Sequence, residues 1–296
     1  MKMILFFLLV CATSAWAQSG KRHVSMTNCS EVGYGLCDLS QKETIDTTHL
    51  TATYRLTTVH EGSQRWAQMI LQVGARFTRY FGLLKQLNDE YYTMFLRRQT
   101  PSEEFIDRQR AAGNGGERFA MVVINDRTTA TRKVIHFIPI TNDRTLSYEE
   151  PIEPMSWEIT QRQDTVAGYL CTQAEADFRG RRYRAWFAPD IPLNIGPWKF
   201  AGLPGLVLRA EDADGAFVWE CVGIETAREP IFDYRIPDKR ITREQYIKWE
   251  RAYHRAPATM LNLDGRTVFK YWDRSTKTSR ELGSEWTLPY NPIELE

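Results

Sequence analysis

Between Arg118 and Ile224 the chain is a series of short runs rich in β-branched and aromatic residues, joined by connections of only a few residues. That spacing decides the class of fold. Parallel neighbours need a crossover of a dozen or more residues, whereas a few residues suffice only for a hairpin. The runs are 119–124, 133–140, 157–161, 167–177, 182–188, 206–210 and 217–224. Asn125-Asp126, Thr141-Asn142-Asp143, Asp164-Thr165, Arg179-Gly180 and Asp212-Ala213-Asp214-Gly215 separate them. Upstream, residues 50–59 nearly alternate, and 65–73 and 76–81 continue the pattern after the Glu61-Gly62-Ser63 turn, with Gly74 read as a bulge. The fold expected is mainly β (α+β): a large curved antiparallel sheet with a few helices packed on it.

Two stretches change to helical spacing. Leu84, Leu87, Tyr91 and Phe95 recur on one side of 83–98, Pro101 ends that helix, and Ser102-Glu103-Glu104 can cap a short second one. This insert is expected to pack on the sheet, with a lid as the alternative. Near the end, Thr242 and Gln245 fit a capping box for a helix that runs to about Arg255 and stops at Pro257. Residues 258–285 are polar and mixed, and loop is expected for part of them.

The first residues are expected to be an address rather than fold. Lys2, the apolar run 4–10 and Ala15-Trp16-Ala17 occur in the order of a secretory signal peptide cut after Ala17. The apolar run is too short to span a bilayer, and no later stretch approaches the length of a transmembrane segment. Cys11 follows Val10, where a lipoprotein signal would want a small residue. The expectation is a leader over 1–17 and one β-rich domain over 18–296, located in the periplasm, at the outer membrane or on the cell surface.

Export bears on the cysteines. Cys29, Cys37, Cys171 and Cys221 remain after cleavage, an even number that favours disulfides in an oxidising compartment. Three pairings are open; the local one, Cys29 with Cys37 and Cys171 with Cys221, is preferred. The alternative is four free thiols in a core. No C-x-x-C occurs and no His stands at ligand spacing from a Cys, so no metal site is expected. The chain from residue 18 carries as many basic as acidic residues, which excludes a strongly basic nucleic-acid binder.

Motifs for catalysis are missing. The five His residues form no H-E-x-x-H or H-x-H, and there is no G-x-S-x-G, no Walker A sequence and no G-x-G-x-x-G after a strand. No catalytic residue and no cofactor are therefore assigned. Glu211-Asp212-Ala213-Asp214-Gly215 suggests calcium, but Asp-Gly between two β runs is first a hairpin turn. The arginines of 179–184 are either an anion site or a solvated hairpin paired with nearby acids, and the second is preferred.

Residues 185–208 stand out. Four prolines and three glycines punctuate apolar residues, so the chain must leave a strand, make a shaped excursion and return at Leu206-Val207-Leu208. Pro204-Gly205 fits a type II turn. Trp186, Trp198, Phe200, Leu203, Pro204 and Gly205 mark either a crossover that plugs one end of the core, which is favoured, or an exposed recognition loop with aromatic anchors.

The sequence here resembles a known family. Gly202-Leu203-Pro204-Gly205-Leu206-Val207 is similar to the signature after which the GLPGLI family is named, with Val207 in place of the final Ile. Gly168-Tyr169-Leu170-Cys171, Phe178-Arg179-Gly180-Arg181, Trp186-Phe187, Ile191-Pro192, Gly196-Pro197-Trp198-Lys199-Phe200 and Tyr290-Asn291-Pro292-Ile293-Glu294-Leu295 resemble it too. The likeness is dense over 166–210 and thinner elsewhere. It implies an exported Gram-negative envelope protein that accompanies an outer-membrane, TonB-linked transport system, and it supplies no catalytic residues.

The reading that follows is a non-enzymatic binding or accessory protein whose partner is an outer-membrane transporter or another envelope protein. The alternatives are a hydrolase of peptides or glycans, for which Asp190, Asp212, Asp214 and His136 are the candidates, and a structural component of an envelope assembly.

Overall fold

A computed structural model describes residues 22–26, 36–60, 62–113, 121–138, 145–261, 267–273, 278–281, 287–288 and 290–296. The expected leader and Cys29 lie outside the described residues. In chain order the elements are β1 (Arg22–Met26), β2 (Glu43–His60), β3 (Ser63–Gly74), β4 (Phe77–Gly82), α1 (Leu83–Leu96), α2 (Glu103–Ala111), β5 (Met121–Asp126), β6 (Thr131–Phe137), β7 (Thr145–Pro151) and β8 (Glu158–Val166). There follow β9 (Tyr169–Phe178), β10 (Arg181–Ala188), β11 (Leu206–Asp212), β12 (Phe217–Glu225), β13 (Pro230–Asp233), β14 (Asp238–Arg240), α3 (Arg243–Arg255), α4 (Pro257–Leu261), β15 (Thr267–Asp273) and β16 (Thr278–Glu281). A three-residue 3-10 turn, Leu39–Gln41, precedes β2.

Two meanders make one 13-stranded sheet, mostly antiparallel. The first runs β2 to β7 and the second β8 to β12. They join where β2 pairs with β12, Leu56 opposite Trp219 and Tyr54 opposite Cys221. β14 extends β7 in parallel, and β13 pairs with the first part of β2. At the other edge β8 is exposed along nearly its whole length, and its register slips between Ile159 and Gln163. The mainly-β, largely antiparallel sheet with helices against it is the fold that the short connections imply. Strands β15 and β16, which form a separate sheet with β1, and the helix α4 occupy part of the region expected to include loop.

Period-two alternation gives this sheet two apolar faces. Tyr54, Leu56, Tyr80, Val123, Val134 and Tyr148 point to the inner face. Phe81, Val122, Ile124, Ile135 and Phe137 point to the outer one. The inner face is filled by the excursion 189–205 between the neighbours β10 and β11. The outer face is covered in part by α1, whose Lys85, Leu87 and Asp89 are buried. The 83–111 insert is therefore packed on the sheet. Ser102 caps α2 by accepting from the Phe105 amide at 3.2 Å. Thr242 and Gln245 close a reciprocal capping box on α3.

The excursion is a plug. Trp198, Phe200 and Leu203 are at most 2% exposed. The Trp198 ring stacks on Trp219 with centroids 6.0 Å apart, and Phe200 meets Tyr183 and Trp219 edge-on at 5.2 Å. Backbone bonds hold its shape: Leu206 N donates to Ile191 O at 2.9 Å, and Val207 N to Ile195 O at 3.0 Å. Trp198 itself has φ 53, a region that bulky side chains rarely enter and that costs about 1–3 kcal/mol. Its ring contacts offset that strain.

Several local readings need correction. Gly205 does not take positive φ, so Pro204-Gly205 is not a type II turn; the left-handed residue is Gly202, at φ 97. Gly205 is required for space, because a Cβ there would run into the Ala188 carbonyl and the Pro189 nitrogen. Asp164-Thr165 lies inside β8, and the hairpin turns at Ala167-Gly168, both with positive φ. Gly74 ends β3 against Asp46, and the register shift beside it lies in the partner strand, between Thr48 and Leu50 of β2.

The cysteines also differ from expectation. Cys171 and Cys221 are buried free thiols, and the bond between them is not formed. These two sit on β9 and β12 with β10 and β11 between them. The two strands are not paired with one another, so no backbone register sets their Cβ atoms side by side. Burial raises the Cys171 thiol and pushes Cys221 up to about 11.

Two outcomes follow from this packing. Trp198→Ala will cost about 3–5 kcal/mol and Gly205→Val a comparable amount, while Pro204→Ala, at an exposed position, will stay within about 0.5 kcal/mol; thermal unfolding by circular dichroism checks the ranking. Cys221 will resist iodoacetamide at pH 8 in the folded chain and alkylate on unfolding without prior reduction, as read by peptide mass spectrometry.

Candidate functional site

On the inner face, β6 presents Arg132, Val134 and His136, and β7 presents Tyr148 and Glu150, each two residues apart as a strand requires. The plug brings Lys199 to them, α3 brings Arg243, Tyr246 and Glu250, and the closing segment 290–296 brings Glu294. Five parts of the chain that are distant in sequence thus meet in one ionic cluster.

Lys199 is its centre, 1% exposed. Its Nζ lies 2.7 Å from Glu150 Oε1 and 2.5 Å from Glu294 Oε1, and donates to the Tyr148 hydroxyl at 3.1 Å. Arg243 holds the other Glu294 oxygen at 2.6 Å. Arg132 and Arg179 reach Glu150 at 3.5 Å from opposite ends of the sheet, so the sheet curls around the plug. Arg132 also donates to the Lys199 carbonyl at 3.2 Å.

Burial sets the protonation pattern. It pulls Lys199 below the ordinary lysine value against the two carboxylates. Burial alone would raise Glu294, but Lys199 and Arg243 together hold it below the usual glutamate value. His136 is pushed well below 6.5, by burial first and then by Lys199, and is neutral. Burial raises Glu250 even though the Tyr246 hydroxyl donates to it at 2.8 Å. His136 stacks on Tyr246 with centroids 3.6 Å apart.

A cavity of about 20 Å³ lies among Met121, His136, Trp198, Glu250, Ile293 and Glu294. The buried atoms His136 Nε2 and Trp198 Nε1 have no hydrogen-bond partner among the described residues. The volume suits a single water between those two groups, not a substrate. The cluster's chemistry as folded is therefore electrostatic clamping.

The sequence candidates fare differently. Trp198, Phe200 and Leu203 are inside the plug; Trp186 is buried under Arg209, whose guanidinium lies 4.4 Å from the ring; Pro204 is exposed and Gly205 buried. The apolar anchors have no open face for a partner. Of the hydrolase candidates, only His136 borders the cavity. Asp212 is paired with Arg181 at 2.8 Å and accepts from the Phe217 amide at 2.8 Å, which makes it the keystone of the β11–β12 hairpin rather than a calcium ligand. Asp214 and Asp190 are exposed. Alternation splits the arginine cluster: Arg182 and Arg184 pair outward with Glu175 and Glu211 at 2.8 Å, while Arg181 turns inward.

Sequence reasoning missed Lys199, Glu150, Glu294, Arg243 and Glu250; a lysine inside the apolar Pro/Gly segment was the available signal. It also missed a second cluster on the outer face. There Lys85 holds Asp89 at 2.5 Å, the Tyr234 hydroxyl donates to Asp89 at 3.1 Å, and the Cys37 amide donates to it at 2.9 Å. The i,i+4 spacing of Lys85 and Asp89 was its trace.

The comparisons with known proteins are sparse. A family model described as "Protein of unknown function (Porph_ging)" matches residues 178–209, which run from the β9–β10 hairpin through the plug into β11. No curated protein matches the sequence. Solved structures of PNGF-II, one in space group P21 and one in C2, are similar at TM-score 0.45 and 14% identity, covering 69% of this chain and 33% and 32% of theirs. The chain thus spans about a third of the length of those structures.

Proposed function

We propose that this chain is an exported envelope protein of the GLPGLI type that acts by binding rather than catalysis, as an accessory to an outer-membrane, TonB-linked transport system. The observation that carries the reading is the position of the Pro/Gly segment. The most distinctive stretch of sequence is consumed in closing the core, and the ionisable groups beside it clamp the fold. Export and the transport association rest on the leader-like first residues and on the resemblance over 166–210.

One observation favours a hydrolase as the second reading: His136 faces Glu250 and Glu294 around a common cavity. Its volume of about 20 Å³ and the neutral, ring-stacked His136 weigh against it.

The accessory reading is tested by cross-linking the tagged chain in intact envelopes of its native host. Recovery of a transporter component above an unrelated exported control is expected; recovery of background alone overturns it. The clamp has its own signature. Glu294 has a folded-state pKa below its unfolded value, so its contribution is complete above the unfolded value of about 4.3 and is lost as pH falls through the folded one. Glu294→Gln will therefore cost about 3–5 kcal/mol at pH 7, by leaving Lys199 and Arg243 short of a partner, and the difference from the unaltered chain will shrink toward pH 3 in urea titrations.

A further inference from the structure

Residues 290–296 belong to no strand or helix, yet their backbone is read group by group. Arg181 donates to the Pro292 carbonyl and to Asn291 Oδ1, both at 2.6 Å. The Tyr183 hydroxyl donates to the Ile293 carbonyl at 3.0 Å, and the Leu295 amide donates to the Arg179 carbonyl at 2.9 Å. Ile293 is 8% exposed in the inner core, Glu294 meets Lys199 and Arg243, and Leu295 is 46% exposed. The hairpin residue Gly180 gives room: a Cβ there would stand 2.8 Å from the Leu295 Cβ.

This is how a peptide-binding site holds an extended ligand. Side-chain donors take main-chain carbonyls, one pocket takes an apolar residue, and a paired cation site takes a carboxylate. The receptor side is formed by the β9–β10 hairpin, the plug and the first turn of α3. Arg181 is also paired with Asp212, and Lys199 with Glu150, so the groove has ionic supports apart from residues 290–296.

We propose that this groove is a recognition site for an extended acidic peptide with an apolar residue followed by Glu, filled here in cis by Pro292-Ile293-Glu294-Leu295 and open to exchange with such a segment from a partner. The proposal depends on neither export nor the transport association. It assigns the groove's occupant and not the host of the protein.

The experiment uses the full chain with a protease site placed between residues 282 and 289. After cutting, a fluorescent peptide Tyr-Asn-Pro-Ile-Glu-Leu-Glu is titrated by anisotropy. Micromolar binding is expected, at least tenfold weaker for the peptide with Lys in place of Glu and several-fold weaker for the Tyr183→Phe chain. A folded, cut chain that ignores the peptide, or that takes both peptides equally, overturns the proposal. If cutting unfolds the chain, hydrogen exchange on the intact protein decides. Amides of 293–296 at least tenfold faster than those of β10, and faster still with excess peptide, support exchange; protection equal to β10 and insensitive to peptide overturns it. Failure of the envelope cross-linking alone leaves this result untouched, so the two readings fail separately.

Discussion

The structure depends on one buried ammonium. Lys199 sits at the tip of an apolar plug and is removed from water, which is costly for an isolated charge by several kcal/mol. Glu150 and Glu294 offset that cost in full only when β7, the plug and the closing segment are all in place. Hydrophobic burial brings these parts near one another without specifying their registry. The ion pairs penalise every arrangement in which the lysine lacks its partners, and so select one.

The same logic recurs on the outer face, where Asp89 is buried with Lys85 and takes hydrogen bonds from Tyr234 and the Cys37 amide. A sheet with two apolar faces needs cover on both. Here each cover is pinned by a buried charge: the plug and α3 inside, α1 and the 36–39 segment outside. The strained φ of Trp198 fits this picture, since a ring packed against Trp219, Phe200 and Phe178 fixes a backbone that its own preference would release.

Much of the fold was legible. Alternation in 50–59 and 119–124, the Arg179-Gly180 turn and the Thr242–Gln245 box are local signals, and each corresponds to an observed element. The plug was legible as a punctuated apolar excursion. The Gly205 turn was misread because positive φ and close backbone approach both ask for glycine, and sequence alone does not separate them. The ionic cluster was illegible for a different reason. Glu150, Lys199, Arg243 and Glu294 are far apart in sequence, and each resembles an ordinary surface charge until the sheet curls. The Cys171–Cys221 pairing failed similarly: two strand-borne cysteines looked adjacent without a strand order to place β10 and β11 between them.

The edges of the sheet carry a last consequence. β8 displays mostly polar and charged residues on both sides and slips register midway, and the opposite edge, β14, is only three residues long. Neither offers a regular row of main-chain donors and acceptors for a foreign strand to copy. Growth of this sheet by addition at those two edges is thereby discouraged, and an association there falls to side chains, where a single substitution can redirect it.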